Sequence, residues 1–192
     1  DSGVSVAWAH SQWSEKDIVP YWSRVLKFDE ADNLVTPPDY STFDRWVKSR
    51  PEVRYLAVYI TASDTWMGTK LGTDAFNRRV GALTKDWAAH MRSTGLDPFR
   101  IVICVLDEPR SASAARMITG WVKAIRAAEP AFKFYMDPNF PPDTFQDPDV
   151  REMLETVDII TPGTDYCYQQ YGQVAVDFYD QFRAKGKIMG FY

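Results

Sequence analysis

The sequence predicts an α/β fold around a parallel sheet, and three observations carry that expectation. Six apolar runs of strand length recur, at residues 4–8, 55–60, 101–106, 132–136, 157–160 and 187–192. Between most of them lie segments with helical periodicity, so the order is β, α, β, α throughout. The runs are nearly continuous in apolar residues rather than alternating, as in strands buried on both faces of a parallel sheet. Such a pattern exceeds what an isolated antiparallel domain would give. The expectation is therefore one domain over residues 1–192, forming part of a (β/α)8 barrel of the TIM type. Because the chain starts at Asp1 without Met or signal peptide and ends at Tyr192 directly after an apolar run, the barrel is expected to be incomplete, a fragment of a larger chain with strands missing at one or both ends. An open doubly wound sheet is the alternative, but neither GxGxxG nor GxxxxGKS/T occurs to mark a nucleotide site.

The helices follow from spacing and end signals. Residues 40–48 place Phe43, Trp46 and Val47 on one face, with Ser41 or Thr42 as N-cap and Pro51 as the stop. In residues 73–93, Phe76, Val80, Leu83, Trp87 and Met91 repeat at three and four, and Gly95 ends the helix. A third helix starts at Ser111 or Ser113, carries Met117, Ile118, Trp121, Val122 and Ile125 as its stripe, and closes before Pro130. Residues 149–156 and 173–184 read the same way, the latter with Val174, Phe178 and Phe182 inward and Gly186 at its end. Residues 13–39 form a long irregular connection and residues 141–148 a Pro-rich loop; a long connection inside a domain is more often functional than accidental.

Composition narrows the partner. A net charge of -4 with both signs interspersed argues against nucleic acid or an anionic membrane surface, and no run of 18 apolar residues spans a bilayer. Cys104 and Cys167 share no CxxC or metal-ligand spacing, His10 and His90 are isolated and read as packing or surface residues, and the scattered Asp residues suggest no metal. No cofactor is called for. Aromatic residues make up 15% of the chain, including seven Trp, and such rings serve both as core and as stacking surfaces for sugars.

The chemistry concentrates where Ile101-Val102-Ile103-Cys104-Val105-Leu106 ends in Asp107-Glu108-Pro109. In a parallel α/β sheet or barrel, ligands bind at the C-terminal ends of the strands. The other strand ends add Trp8 and His10; Thr61, Ser63, Asp64 and Trp66; Arg110; Asp137 and Asn139; Thr161, Thr164, Asp165, Tyr166 and Tyr168; and finally Phe191 and Tyr192. This rim holds carboxylates and rings without a Ser/His or Cys/His nucleophile set, which is the character of a carbohydrate site. Two neighbouring carboxylates divide roles only if their surroundings separate their pKa values. On a regular strand adjacent side chains face opposite ways, so Asp107 and Glu108 share a mouth only if the backbone turns before Pro109. A turn that simply ends the strand in solvated acids is the plain alternative.

The stretch from Arg100 to Arg110, with the upstream helix holding Trp87 and His90 before Gly95-Leu96, resembles glycoside hydrolase family 123 and the related domain of unknown function 4091. Those proteins carry Asp-Glu-Pro at the end of a barrel strand, followed by a helix and a Pro-terminated turn like Ala127-Ala128-Glu129-Pro130. The likeness runs from about Asp39 to Tyr192 and is strongest between Phe76 and Pro138. It implies a β-N-acetylhexosaminidase, acting on a glycan such as an N-acetylgalactosaminide, in a periplasmic or extracellular setting. In the substrate-assisted scheme it implies, Glu108 protonates the leaving oxygen and later deprotonates water, while Asp107 holds the acetamido N–H. Trp8, Asp64, Trp66, Asp137, Tyr166 and Tyr168 are the candidates for substrate contact. Two other readings stand beside it: a retaining glycosidase with two carboxylates whose nucleophile lies beyond Tyr192, and a carbohydrate-binding barrel without turnover.

Overall fold

The computed structural model describes residues 6–10 and 18–190. Six strands pair in parallel in chain order: β1 (Val6–His10), β2 (Tyr55–Tyr59), β3 (Ile101–Cys104), β4 (Lys133–Met136), β5 (Ile159–Ile160) and β6 (Ile188–Met189). Between them run α1 (Ser41–Lys48), α2 (Asp74–Ser93), α3 (Ala112–Ala128), α4 (Pro148–Thr156) and α5 (Gln173–Ala184). The alternation expected from the sequence is therefore present. Among the described residues the sheet is open, with no pairing that joins β6 back to β1 and so no closed barrel.

The helix ends obey local chemistry. The Thr73 hydroxyl accepts the Phe76 N–H at the start of α2, and the Ser111 hydroxyl accepts that of Ala114 at the start of α3. Pro148 occupies the first turn of α4, where its missing N–H costs nothing, and Asp147 accepts from Asp149 N–H. Helix α2 closes with the Leu96 N–H on the Met91 carbonyl and the Gly95 N–H on that of Arg92, a reversal that needs the left-handed φ of +79° at Gly95. Helix α1 departs from expectation at its start. Ser41 is the first helical residue rather than the cap, and the Asp39 carboxylate binds both its N–H and its hydroxyl.

Strand order decides where the helices go. When each strand is added beside its predecessor and each crossover is right-handed, every helix returns on the same side. The buried side chains divide accordingly. Leu56, Val58, Ile101, Ile103, Phe134, Met136 and Ile160 pack with apolar residues of all five helices in one core, to which α5 contributes Ala175, Phe178, Tyr179 and Phe182, whereas Val174, expected inward, is exposed in its first turn. Ala57, Val102, Cys104 and Tyr135 form a second, small cluster on the other face, joined by Val6, Tyr55, Tyr59 and Ile159 and by no helix. A doubly wound sheet would have helices on both faces.

Much of the aromatic content is core. Trp121 meets Phe76 at 4.9 Å between ring centres and Tyr21 at 6.0 Å, and its indole N–H donates to the Ser63 carbonyl. Tyr21 is buried and its hydroxyl lies 2.7 Å from that of Thr84. The described part of the long 13–39 connection is anchored rather than loose. It forms a short 3-10 turn at Pro20–Trp22 and an antiparallel ribbon of Lys27–Phe28 with Leu34–Thr36. Asp32 ties that ribbon to α2 by accepting from Arg78 at 2.7 Å and Arg79 at 2.6 Å, and the two guanidinium groups hold its carboxyl below the usual range. His90 is likewise structural, with its Nε2 2.7 Å from the Asp44 carboxylate and its ring stacked on Tyr40.

Removing the central ring should be costly. Trp121→Ala is expected to destabilise the fold by about 3–5 kcal/mol, read as a lowered urea midpoint with little change in the denaturant slope.

Candidate active site

The rim above β2, β3 and β4 is built by three irregular exits. Beyond β2 the backbone stays paired to the chain after β3, with Ile60 N–H on the Cys104 carbonyl and Ala62 N–H on that of Val105. Between them Thr61 is held at φ +43°, and Glu108 on the neighbouring exit at φ +44°. The left-handed region is unfavourable for residues with a β-carbon, and such residues concentrate at ligand sites. The turn expected at Glu108-Pro109 is therefore present, and its form is a left-handed Glu108.

Asp137 holds that turn. On β4, side chains two apart share a face, which puts Asp137 on the same side as Tyr135, the side without helices. Asp137 is only 1% exposed, its Oδ1 accepts the Glu108 backbone N–H at 3.1 Å, and its carboxyl is hydrogen-bonded to that of Asp107. Burial, followed by the bond to Asp107, pushes its pKa up to about 8. Asp107 itself is exposed at the mouth, and Glu108 is partly exposed with its carboxylate 2.9 Å from Arg110. Asn139, also buried, fixes the next stretch by donating its backbone N–H to the Pro109 carbonyl.

Below the carboxylates the open face is aromatic. Tyr59, Cys104 and Tyr135 occupy one row across three strands. Trp8 is 46% exposed and lies against both tyrosines, at 5.6 Å from Tyr59 and 5.2 Å from Tyr135 between ring centres. Burial is the main reason both phenols are pushed above their ordinary range, with Cys104 and Asp137 adding for Tyr59 and Asp137 for Tyr135. Burial, then Asp137 and Asp107, does the same to the Cys104 thiol, which is therefore a neutral wall and no thiolate nucleophile. Trp8 and Tyr135 line a groove of about 510 Å³ that runs along this face to the N-terminal strand ends at Arg54, Lys133 and Asp158, and Asp107, Glu108 and Asp137 are not among its lining residues. A larger hollow of about 610 Å³ lies on the helical side, between α2 and α3, away from these carboxylates.

The structure thus brings together Asp107, Glu108 and Asp137 from the expected set, while Trp8 lies on the same open face against Tyr59 and Tyr135. Trp66 does not join them. It is 3% exposed, its indole N–H donates to the Tyr21 carbonyl, and its ring packs on Tyr21, Phe28 and Trp121, so it is core and offers no surface to a sugar. Asp64 is exposed beside the small ribbon of Thr65–Trp66 with Thr69–Lys70 that buries Trp66. Tyr168 lies in the helical turn Thr164–Gln169, half-buried against the core, where burial pushes its hydroxyl up to about 12. Tyr166 belongs to the same turn, but its side chain lies outside the described residues, as do the side chain of His10 and all of Phe191 and Tyr192. Tyr59 and Tyr135 were missed as site residues. Their signal was the alternation itself, since Tyr135 precedes Asp137 by two.

Among the described residues no group of three or more His, Cys, Asp or Glu is placed to hold a metal ion, and no helix is long and apolar enough to cross a membrane. No family model matches the chain, and no curated protein matches it. Among solved structures, the apo crystal structure of an endo-β-N-acetylglucosaminidase from Cordyceps militaris is similar at 13% identity and a TM-score of 0.48, covering 100% of this chain and 67% of that one.

Two substitutions test how the rim is held. Glu108→Gly should be more stable than Glu108→Ala by about 1 kcal/mol in urea unfolding, because only glycine occupies the left-handed region without a steric penalty. Gly163→Ala would set a β-carbon 2.7 Å from the Asn139 Oδ1. It is expected to destabilise by about 1–3 kcal/mol through displacement of buried Asn139, seen as a lowered Tm.

Proposed function

We propose that this chain is a glycoside hydrolase with a barrel-type catalytic rim, acting on a glycan that carries a 2-acetamido group and retaining configuration by substrate assistance. The observation that carries the reading is the Asp107–Asp137 carboxyl pair beside Glu108, set at the strand ends above the exposed Trp8 ring. The Asp-Glu-Pro resemblance supplies the roles, and the pair bears on the choice between mechanisms.

A retaining glycosidase with a protein nucleophile needs two free carboxyl groups about 5–5.5 Å apart. Asp137 is unsuited to be that nucleophile, because it is buried and its carboxyl is engaged by Asp107 and by the Glu108 N–H. In substrate assistance no such group is required. The 2-acetamido oxygen attacks the anomeric carbon as the glycosidic bond breaks, and Glu108, which must enter this step as the carboxylic acid rather than as the Arg110-paired carboxylate, donates its proton to the departing oxygen. Asp107 accepts the acetamido N–H and faces the positive charge that spreads over the oxazolinium ring as it forms. Water then attacks the anomeric carbon, Glu108 takes its proton, and the ring opens to restore the acetamide. Trp8 offers a face for an apolar sugar surface.

Glu108→Gln should lower kcat by about 10²–10⁴-fold on substrates with poor leaving groups and much less on activated aryl N-acetylhexosaminides, whereas Asp107→Asn should damage both. A thiazoline that mimics the bicyclic intermediate should inhibit tightly. Wild-type activity in Asp107→Asn would sink substrate assistance. Saccharide binding unchanged in Glu108→Gln, with no hydrolysis by the wild type, would point to a binding module instead.

A further inference from the structure

We propose that Asp137 is a positioning residue for both rim acids: its buried carboxyl carries the single proton of a carboxyl pair with Asp107, while its Oδ1 anchors the Glu108 backbone. This assignment rests on the glycosidase reading and names a residue from a different strand through which that site is organised.

The geometry is economical. One side chain on β4 makes two contacts with the exit of β3, one to the Asp107 side chain and one to the Glu108 N–H at 3.1 Å. A carboxylate that accepted both contacts could not be bonded to a second carboxylate, since both would be acceptors only; one of the two must bring a hydrogen. Asp137 is the member to keep it. It is buried while Asp107 is exposed, and transfer from water penalises the charged form of the buried one.

The groups that face Asp137 reinforce this. Asp107 and the Cys104 thiol come from the β3 segment, the Tyr59 hydroxyl from β2, and the Tyr135 hydroxyl from its own strand. None of the four is a cation. Arg110, in the turn that follows, pairs with the Glu108 carboxylate. The proton of the pair therefore stays on the buried Asp137, and Asp107 is the member that faces the mouth, where the acetamido N–H would meet it. Above the pKa of about 8 that proton leaves. Two carboxylates then repel, Asp107 loses its donor, and the mouth loses its orientation.

Asp137→Asn isolates the claim because an amide keeps both contacts and cannot ionise: its N–H donates to Asp107 and its oxygen accepts from Glu108. With an aryl N-acetylhexosaminide at pH 6–7, Asp137→Asn should retain at least about tenfold more kcat/KM than Asp137→Ala, and its alkaline limb should lie above that of the wild type. Asp137→Ala should lose about 10²-fold, as misplaced catalytic groups do.

Thermal unfolding gives a readout independent of activity. A carboxyl raised in the fold stabilises fully below its unfolded pKa, about 3.9, and that contribution is lost as pH rises through the folded value. Wild-type Tm should therefore fall relative to Asp137→Asn between about pH 4 and pH 8, with a constant gap above. A gap that does not change with pH overturns the proposal, and so does an Asp137→Asn variant as inactive as Asp137→Ala with its alkaline limb unmoved. If the wild type hydrolyses no glycoside, the glycosidase reading fails, while the pH-dependent gap still supports or overturns the shared proton.

Discussion

A parallel sheet laid down in strict chain order has only one helical side, and the rest of this molecule depends on that constraint. Each right-handed return puts its helix over the same face, so the stripes of α1 to α5 converge on one core with Leu56, Ile103, Phe134 and their neighbours. The opposite face keeps its residues to itself. There the chain has placed Trp8, Tyr59, Cys104 and Tyr135 rather than a second layer of aliphatics, and that row leads directly to Asp137 and the exit of β3. A doubly wound order would have covered the same row with helices. The site is open because the topology leaves it so.

Openness alone would leave the strand ends loose, and the rim is instead held in conformations that a free chain avoids. Thr61 and Glu108 each sit at positive φ, at a cost of order 1–3 kcal/mol apiece. That cost is offset by hydrogen bonds that cross between exits: the backbone pairs Ile60 to Cys104, Ala62 to Val105 and Asn139 to Pro109, and the Glu108 N–H to the Asp137 carboxyl. These cross-strand bonds convert three separate loops into one surface. Gly163 belongs to the same construction, because its missing β-carbon leaves room for the side chain of Asn139, whose backbone N–H donates to the Pro109 carbonyl.

The elements were legible in the sequence because their signals are local. Phe76, Val80, Leu83, Trp87 and Met91 mark one helical face wherever the helix ends up, and Thr73, Gly95 and Pro148 act on their own neighbours. The Asp107-Glu108 turn was legible for the same reason, since it lies next to a proline. What the sequence withheld are facts of alignment between strands. Whether Trp66 is a stacking ring or core depends on Tyr21 and Trp121, which are 45 and 55 residues away and meet it only after folding. That Tyr59 lies level with Cys104 and Tyr135 follows from register, which no single strand encodes. Asp137 was visible as a strand-end acid, but its tie to the Glu108 N–H requires β4 to sit beside β3 at one particular height.

That height also explains why a carboxylate, and not a cation, suits position 137. An arginine there would ion-pair with Asp107 and cancel its charge, while offering the Glu108 N–H no acceptor. An aliphatic residue would leave that N–H unsatisfied in a buried spot and strip Asp107 of its donor. A protonated aspartic acid meets both demands with one side chain, and it adds no charge of its own beside Asp107. Under the proposed mechanism a negative charge is what the oxazolinium needs, and Asp107 is the exposed partner, where a substrate can reach it. The cost is confined to the buried member, which must hold a proton at a pH where carboxyl groups ordinarily do not.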